Sequence, residues 1–402
     1  MKKTILIILV LVMVIGSAFA DVRFSGAAKV LWGYDFNNQE FTVSGRDYAS
    51  IRDTYNYGKI YNTSAAANLT VKVVGDYFSF NFMGALYSRS NDKEGINARI
   101  TLKGKTLLKE AGIELNKLDQ LDFLIGNQII RSNKVYADPL AHDDGSVQLL
   151  LATNFRYLPA GIEFGTKNWT AKVAGTIIKD HEEIGGNLRV KLFEGALWVE
   201  AGYSYNNDAE FISTTRLGHK FDDGGNGHRF GASASADIAK FLGMENTNII
   251  LSGDVQLNLN DESQKENKNA NAYFGAFVFK TEKFFFGAEY RNVPVKIDSW
   301  DEVPGKDDDT RSRISAVEGK VSYTFIENNL KPTLAATAGY MLSRKSLPGE
   351  PIAVDDKGFM FSVSGQITVL GLNVKLGYTF REFEPNKYFG TSKAYIELNF
   401  KF

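Results

Sequence analysis

The side chains best equipped for chemistry are few and poorly grouped. Four histidines, His142, His181, His219 and His228, fall in or beside polar connections and show no metal-ligand spacing. None lies within a strand pattern where a serine could join it as a hydrolytic pair. Gly104, Lys105 and Thr106 have the ending of a phosphate loop, but Arg99 stands where the upstream glycine is required. Cysteine is absent, which excludes disulfides, thiolate metal sites, cysteine nucleophiles and a lipid anchor on cysteine. Acidic groups at Asp92 and Glu94, Glu182 and Glu183, Asp222 and Asp223, Asp261 and Glu262, and Asp307 to Asp309 lack the spaced ligands of a calcium loop. Glycosylation triplets at Asn62, Asn68 and Asn168 fall in strands or turns and have no mechanism there. No catalytic residue, metal or cofactor is expected. A net charge of −1 without a basic tail or stripe argues against nucleic acid.

What remains is a set of charges that alternate with apolar residues. The positive members are Lys29, Lys72, Arg99, Lys103, Lys172, Arg189, Lys191, Arg229, Arg291, Lys320, Lys375, Arg381 and Lys393. The negative members are Asp122, Glu163, Glu200, Asp237, Asp254, Glu289, Glu318 and Glu397. Charges placed around an aqueous wall set ion preference, and the basic excess points to a weak anion bias. Solvation of a wet wall, with cross-strand ion pairs, is the competing role for any single residue.

Such a wall needs strands to hold it. Val22, Phe24, Gly26, Ala28, Val30, Trp32, Tyr34 and Phe36 alternate with Arg23, Ser25, Lys29 and Asp35, giving one oily and one wet face. Similar segments recur near 22–36, 60–74, 77–87, 95–104, 120–130, 153–166, 169–178, 186–193, 196–205, 228–238, 248–259, 271–280, 284–292, 313–325, 332–342, 358–369, 372–381 and 391–402. In the 153–166 segment, Leu158 to Gly161 imply a bulge or a splitting turn. Lys2 and Lys3, an apolar run from Thr4 to Ile15, and Ala18-Phe19-Ala20 form a cleavable export signal over 1–20, with the mature chain starting at Asp21. No apolar stretch of helix-spanning length follows. A chain of this pattern crosses a bilayer only as a closed barrel, because open edges strand their backbone groups in lipid. The expected fold is an all-β antiparallel transmembrane barrel of about 18 strands, with 16 or 20 as the neighbouring counts.

Connections alternate in length. Links at 75–76, 167–168, 194–195, 281–283 and 370–371 are short, whereas 37–59, 206–227, 293–312 and 343–357 are long and polar. The link at 105–119 is the longer exception, where Leu107, Leu108 and Ala111 are expected to form a short helix. Aromatics gather at strand ends as interfacial girdles do: Trp32, Tyr34, Tyr203, Tyr205, Tyr290, Tyr340, Tyr378 and Phe380 on one side, and Trp169, Phe279, Phe284, Phe325 and Phe402 on the other.

With its export signal, its strand alternation and a last strand of alternating aromatics ending in Phe400 and Phe402, the chain resembles the porin family of outer-membrane barrels. The resemblance implies passive diffusion of small hydrophilic solutes across the outer membrane of a diderm bacterium. It also implies contact with outer-membrane lipid and lipopolysaccharide, recognition of Phe400 and Phe402 by the barrel-assembly machinery, and a homotrimer. It implies further that the 131–152 loop folds inward and narrows the pore, through Arg131, Lys134, Tyr136, Asp138, Asp143 and Asp144. Two other readings fit the same residues: a surface or adhesion protein displaying its long loops, and a channel selective for sugars or carboxylates.

Overall fold

Period-2 alternation closes here into a cylinder. The computed structural model describes residues 21–37, 39–44, 65–87, 95–126, 129–131, 140, 152–154, 160–178, 181–206, 227–258, 271–297, 310–326, 330–346, 355–369, 372–382 and 392–401. Residues 1–20, where an export signal is expected, Phe402 and most of the 131–152 loop lie outside them.

The first strands are β1 (Asp21–Asp35), β2 (Glu40–Ser44), β3 (Ala65–Val74), β4 (Phe78–Tyr87) and β5 (Gly95–Lys103). After α1 (Gly104–Glu110) come β6 (Gln120–Gly126), β7 (Ile129–Arg131), β8 (Ala152–Asn154), β9 (Ala160–Gly165), β10 (Trp169–Ile178), β11 (His181–Leu192), β12 (Leu197–Asn206) and β13 (Gly227–Asp237). After α2 (Ile238–Phe241) follow β14 (Asn248–Asn258), β15 (Ala272–Lys280), β16 (Phe284–Ile297), β17 (Thr310–Thr324), β18 (Thr333–Ser346), β19 (Asp355–Val369), β20 (Leu372–Arg381) and β21 (Ser392–Lys401).

Each strand pairs antiparallel with its neighbour, and β21 returns to β1 in register from Ala27↔Lys401 to Asp35↔Lys393. The other edge of β1 is taken by β3 from Asp21 to Val30 and by β2 from Leu31 to Asp35. The result is a closed antiparallel transmembrane barrel of 18 strands, with no unpaired edge in lipid.

Burial is inverted relative to a water-soluble protein. Along β21, Ile396 and Phe400 are exposed, while Glu397 and Asn399 between them are only 7% and 8% exposed. Leu251, Phe286, Val317, Val363 and Leu376 face outward in the same way, and Asp254, Glu289, Glu318, Ser362 and Thr379 face inward and are buried. Large exposed apolar surface is costly in water and stable only against hydrocarbon, so the outer wall is the lipid face.

One end of the cylinder carries tight turns. Gly75 N donates to Phe78 O at 2.9 Å, and Thr281 N donates to Phe284 O at 2.8 Å. The longer link at this end contains the expected helix, α1, packed with Gly104 where a Cβ would meet the Phe123 ring at 2.6 Å. Lys105 Nζ reaches the Leu118 carbonyl, so the phosphate-loop likeness is a chain-closing contact. Aromatic pairs mark this rim, Phe279 with Phe284 at 6.0 Å and Tyr323 with Phe325 at 4.9 Å between ring centroids. At the opposite rim Tyr34 meets Phe36 at 5.1 Å and Phe361 meets Tyr378 at 5.9 Å.

Two expectations change. The connection after β1 is not a loop over 37–59, because the chain turns at once into β2 along the end of β1. The Asp35 carboxylate accepts a hydrogen bond from Asn37 N at 2.9 Å, a local turn that competes with strand continuation. The 153–166 segment is not one strand: Ala152–Asn154 form β8 and Ala160–Gly165 form β9, so Ala160 and Gly161 lie within a strand rather than in a turn. β16 to β19 also run past the expected ends, to Ile297, back to Thr310, on to Ser346 and back to Asp355.

Candidate functional site: the inward wall

The site is built by parity. Once outward residues are assigned to lipid, every second residue must face the lumen. Backbone register and burial place Lys72, Arg99, Lys103, Lys172, Arg189, Lys191, Arg291, Lys320, Lys375, Arg381 and Lys393 on the inward face. Asp122, Glu163, Glu200, Asp237, Asp254, Glu289, Glu318 and Glu397 share it. Lys29 and Arg229 stand opposite Asn399 and Asn258 in the backbone ladder.

Part of this charge is paired, across neighbouring strands or along one strand. Arg189 Nη2 lies 3.0 Å from Glu200 Oε2, its Nε donates to the same oxygen at 3.1 Å, and Asn187 Nδ2 donates to Glu200 Oε1 at 2.9 Å. Arg291 Nη2 and Glu289 Oε1 approach to 3.0 Å, both side chains nearly buried. Asn248 Nδ2 donates to Asp237 Oδ2 at 3.1 Å. Lys103 donates its ammonium to the Gly75 carbonyl at 2.6 Å, which ties it to a turn.

Three inward aromatics each carry a cation. Lys191 Nζ is 4.6 Å from the Trp198 ring centroid, with the Arg189 guanidinium carbon at 5.5 Å. The Arg291 guanidinium carbon is 5.4 Å from Phe274, and Lys375 Nζ is 5.5 Å from Tyr395. Alternation puts these three scattered rings on the lumen face; the fold adds the cation beside each.

Arg344 is an inward, buried cation that alternation misses. A bulge between Met341 and Arg344 puts both on the inward face three residues apart, breaking the period of two. On the lipid face near the loop end, Arg313 Nε donates to Asn292 Oδ1 at 2.6 Å and Nη2 donates to the Asn271 carbonyl at 2.8 Å.

His228 belongs to the outward rim, where its Nδ1 lies 2.6 Å from the Tyr203 hydroxyl and its ring 4.7 Å from Tyr205. His181 begins β11, and His142 and His219 lie outside the described residues. Among the described residues no group of three or more His, Asp or Glu is arranged to hold a metal ion. Of the loop candidates, Arg131 ends β7, whereas Lys134, Tyr136, Asp138, Asp143 and Asp144 lie outside the described residues.

No family model matches the sequence, and no curated protein matches it. Solved structures do match the fold. OpdK of Pseudomonas aeruginosa, solved with vanillate, is 9% identical with a TM-score of 0.53 over 95% of this chain and 98% of its own. A BenF-like porin from Pseudomonas fluorescens Pf-5 has the same identity, TM-score and coverage. OccK9 (OpdG) of Pseudomonas aeruginosa is 9% identical with a TM-score of 0.51, over 95% and 98% of the two chains. At such identities the likeness is one of fold. This chain shares with them a closed 18-strand antiparallel barrel.

Proposed function

We propose that the protein is an outer-membrane porin through which small hydrophilic solutes diffuse passively, with no covalent step. The observation that carries this reading is the inverted burial of a closed 18-strand barrel: apolar residues outside, charges inside. About eight strands would be filled by side chains, whereas 16 to 18 leave an aqueous path. Export to the outer membrane of a diderm bacterium, by way of a signal removed before Asp21, belongs to this reading and fits the basic start, apolar run and Ala18-Phe19-Ala20 of residues 1–20. Recognition of the last strand by the barrel-assembly machinery, lipopolysaccharide contact and a homotrimer belong to the same reading.

The inward loop is part of the proposal. Leu140, within the 131–152 loop, is only 1% exposed. The β7–β8 hairpin has left the barrel ladder, and β7 lies close to β10, β11 and β12 without joining their hydrogen bonds. Both features support a segment folded against the wall.

Reconstitution in a planar bilayer tests the reading, with stepwise conductance expected. Its absence from correctly folded protein overturns the porin. A mild anion preference is expected from the basic excess, and a reversal potential of cationic sign contradicts that part alone. A second reading, a channel selective for carboxylates, is favoured by the three aromatic–cation pairs in the lumen. Solute-specific block of the conductance distinguishes it.

A further inference from the structure

Lys191 and Trp198 are cross-strand partners two rungs from the tight turn that joins β11 to β12. Trp198 is held on two sides. Its Nε1 donates to the Gly195 carbonyl at 2.9 Å within that turn, and Lys191 Nζ sits 4.6 Å from the ring centroid. Gly195 has φ +85°, a conformation that L side chains rarely adopt, so the turn that anchors the indole is itself held to one geometry.

The neighbouring acid is already committed. Glu200, 3% exposed, accepts from Arg189 and from Asn187 at 2.9 to 3.1 Å. Arg189 and Glu200 cancel as charges. Lys191 adds one more positive charge to the same patch and makes no ion pair among the described residues. An aromatic face is a different kind of partner from a carboxylate. It holds an ammonium by the ring quadrupole and restricts its long stem, yet leaves its charge uncancelled. A cation held in this way on a low-dielectric wall projects a focused field into the lumen.

We propose that Lys191, positioned on Trp198 beside the Arg189–Glu200 pair, is an oxyanion-binding station at the tight-turn mouth of the lumen. The inference rests on the channel reading. Its ligands are small anions presenting a carboxylate or a phosphate, groups that a point-charge ammonium takes equally. Binding is weak, as passage requires: favourable enough to recruit an anion and loose enough to release it.

The test uses the full-length folded protein in planar bilayers, with chloride current recorded as potassium acetate or potassium phosphate is added to either side. Added oxyanion is expected to reduce the chloride current at lower concentration from the tight-turn side than from the loop side. Lys191→Gln should raise the blocking concentration about three- to fivefold and shift the reversal potential toward cations. Trp198→Leu leaves every charge in place and should weaken block similarly, while Trp198→Phe should restore most of it; a merely structural tryptophan would not produce this pattern. Unitary steps of normal size show that a variant has folded, and if Trp198→Leu yields none, Lys191→Gln and Trp198→Phe carry the test. Block by acetate alone identifies carboxylates as the ligands, and block by phosphate alone identifies phosphates; either supports the station. Normal conductance with block unchanged in Lys191→Gln overturns the station and leaves the porin intact. Absence of conductance in the wild type overturns both.

Discussion

Arg189 and Glu200 show how the wall holds charge. The guanidinium donates to both oxygens of a carboxylate that is almost wholly buried, and Asn187 Nδ2 donates to its Oε1 as well. Removing one partner of such a pair strands the other, which costs more than the pair contributes. Glu200→Ala should therefore destabilise the folded barrel by roughly 1–3 kcal/mol in urea titrations from lipid vesicles. The same change should shift the reversal potential toward anions, because Arg189 is left uncompensated. A second residue-scale expectation concerns Tyr395, whose ring lies across Gly377 on the adjacent strand so closely that a Cβ there would collide with it. Gly377→Ala should push the ring off the wall and destabilise by about 1–3 kcal/mol, measured in the same titration. Gly275, where a Cβ meets nothing within 4 Å, should accept alanine without loss.

At the scale of the strand, facing decides everything. Val363 and Ser362 are adjacent on β19, one exposed to lipid and the other 4% exposed on the inward side. Arginine at Val363 should cost about 2–4 kcal/mol in vesicle unfolding, whereas arginine at Ser25, exposed on the inward face of β1, should cost far less and instead alter conductance. Equal costs would show that the faces are misassigned. The last strand supplies another expectation. Phe400 lies outward, opposite Leu372 on one side and Ala28 on the other, where β21 closes the cylinder onto β1. Deleting Phe402 should lower the amount of assembled barrel in cells more than it changes the unitary conductance of protein that does insert. Quantifying folded protein in outer-membrane fractions checks this, and normal levels would contradict it.

For the whole molecule, closure is the property on which function depends. Eighteen strands leave more room than side chains can fill, and the β7–β8 hairpin approaches the wall near β10 to β12. If the 131–152 loop narrows the lumen, deleting 134–150 should raise unitary conductance while leaving the barrel resistant to urea. Unchanged conductance would place the constriction elsewhere.

Alternation was legible throughout, because lipid on one side and water on the other impose a two-residue period on every strand. β10 and β20 match their expected limits, 169–178 and 372–381, and the outer faces of β1 and β21 are those read from residue order. Legibility failed where local geometry broke the period. The Asp35 turn started β2 where a long loop was expected, and the bulge at Met341 to Arg344 hid an inward arginine. Residue order also marked Arg189, Lys191 and Glu200 as members of the wet face. It could not show that Glu200 binds Arg189 while Lys191 rests on Trp198, because those partnerships depend on the β11–β12 register and on a turn that pins the indole. Parity is a property of one strand and can be read along it; pairing is a relation between strands and exists only once they are joined.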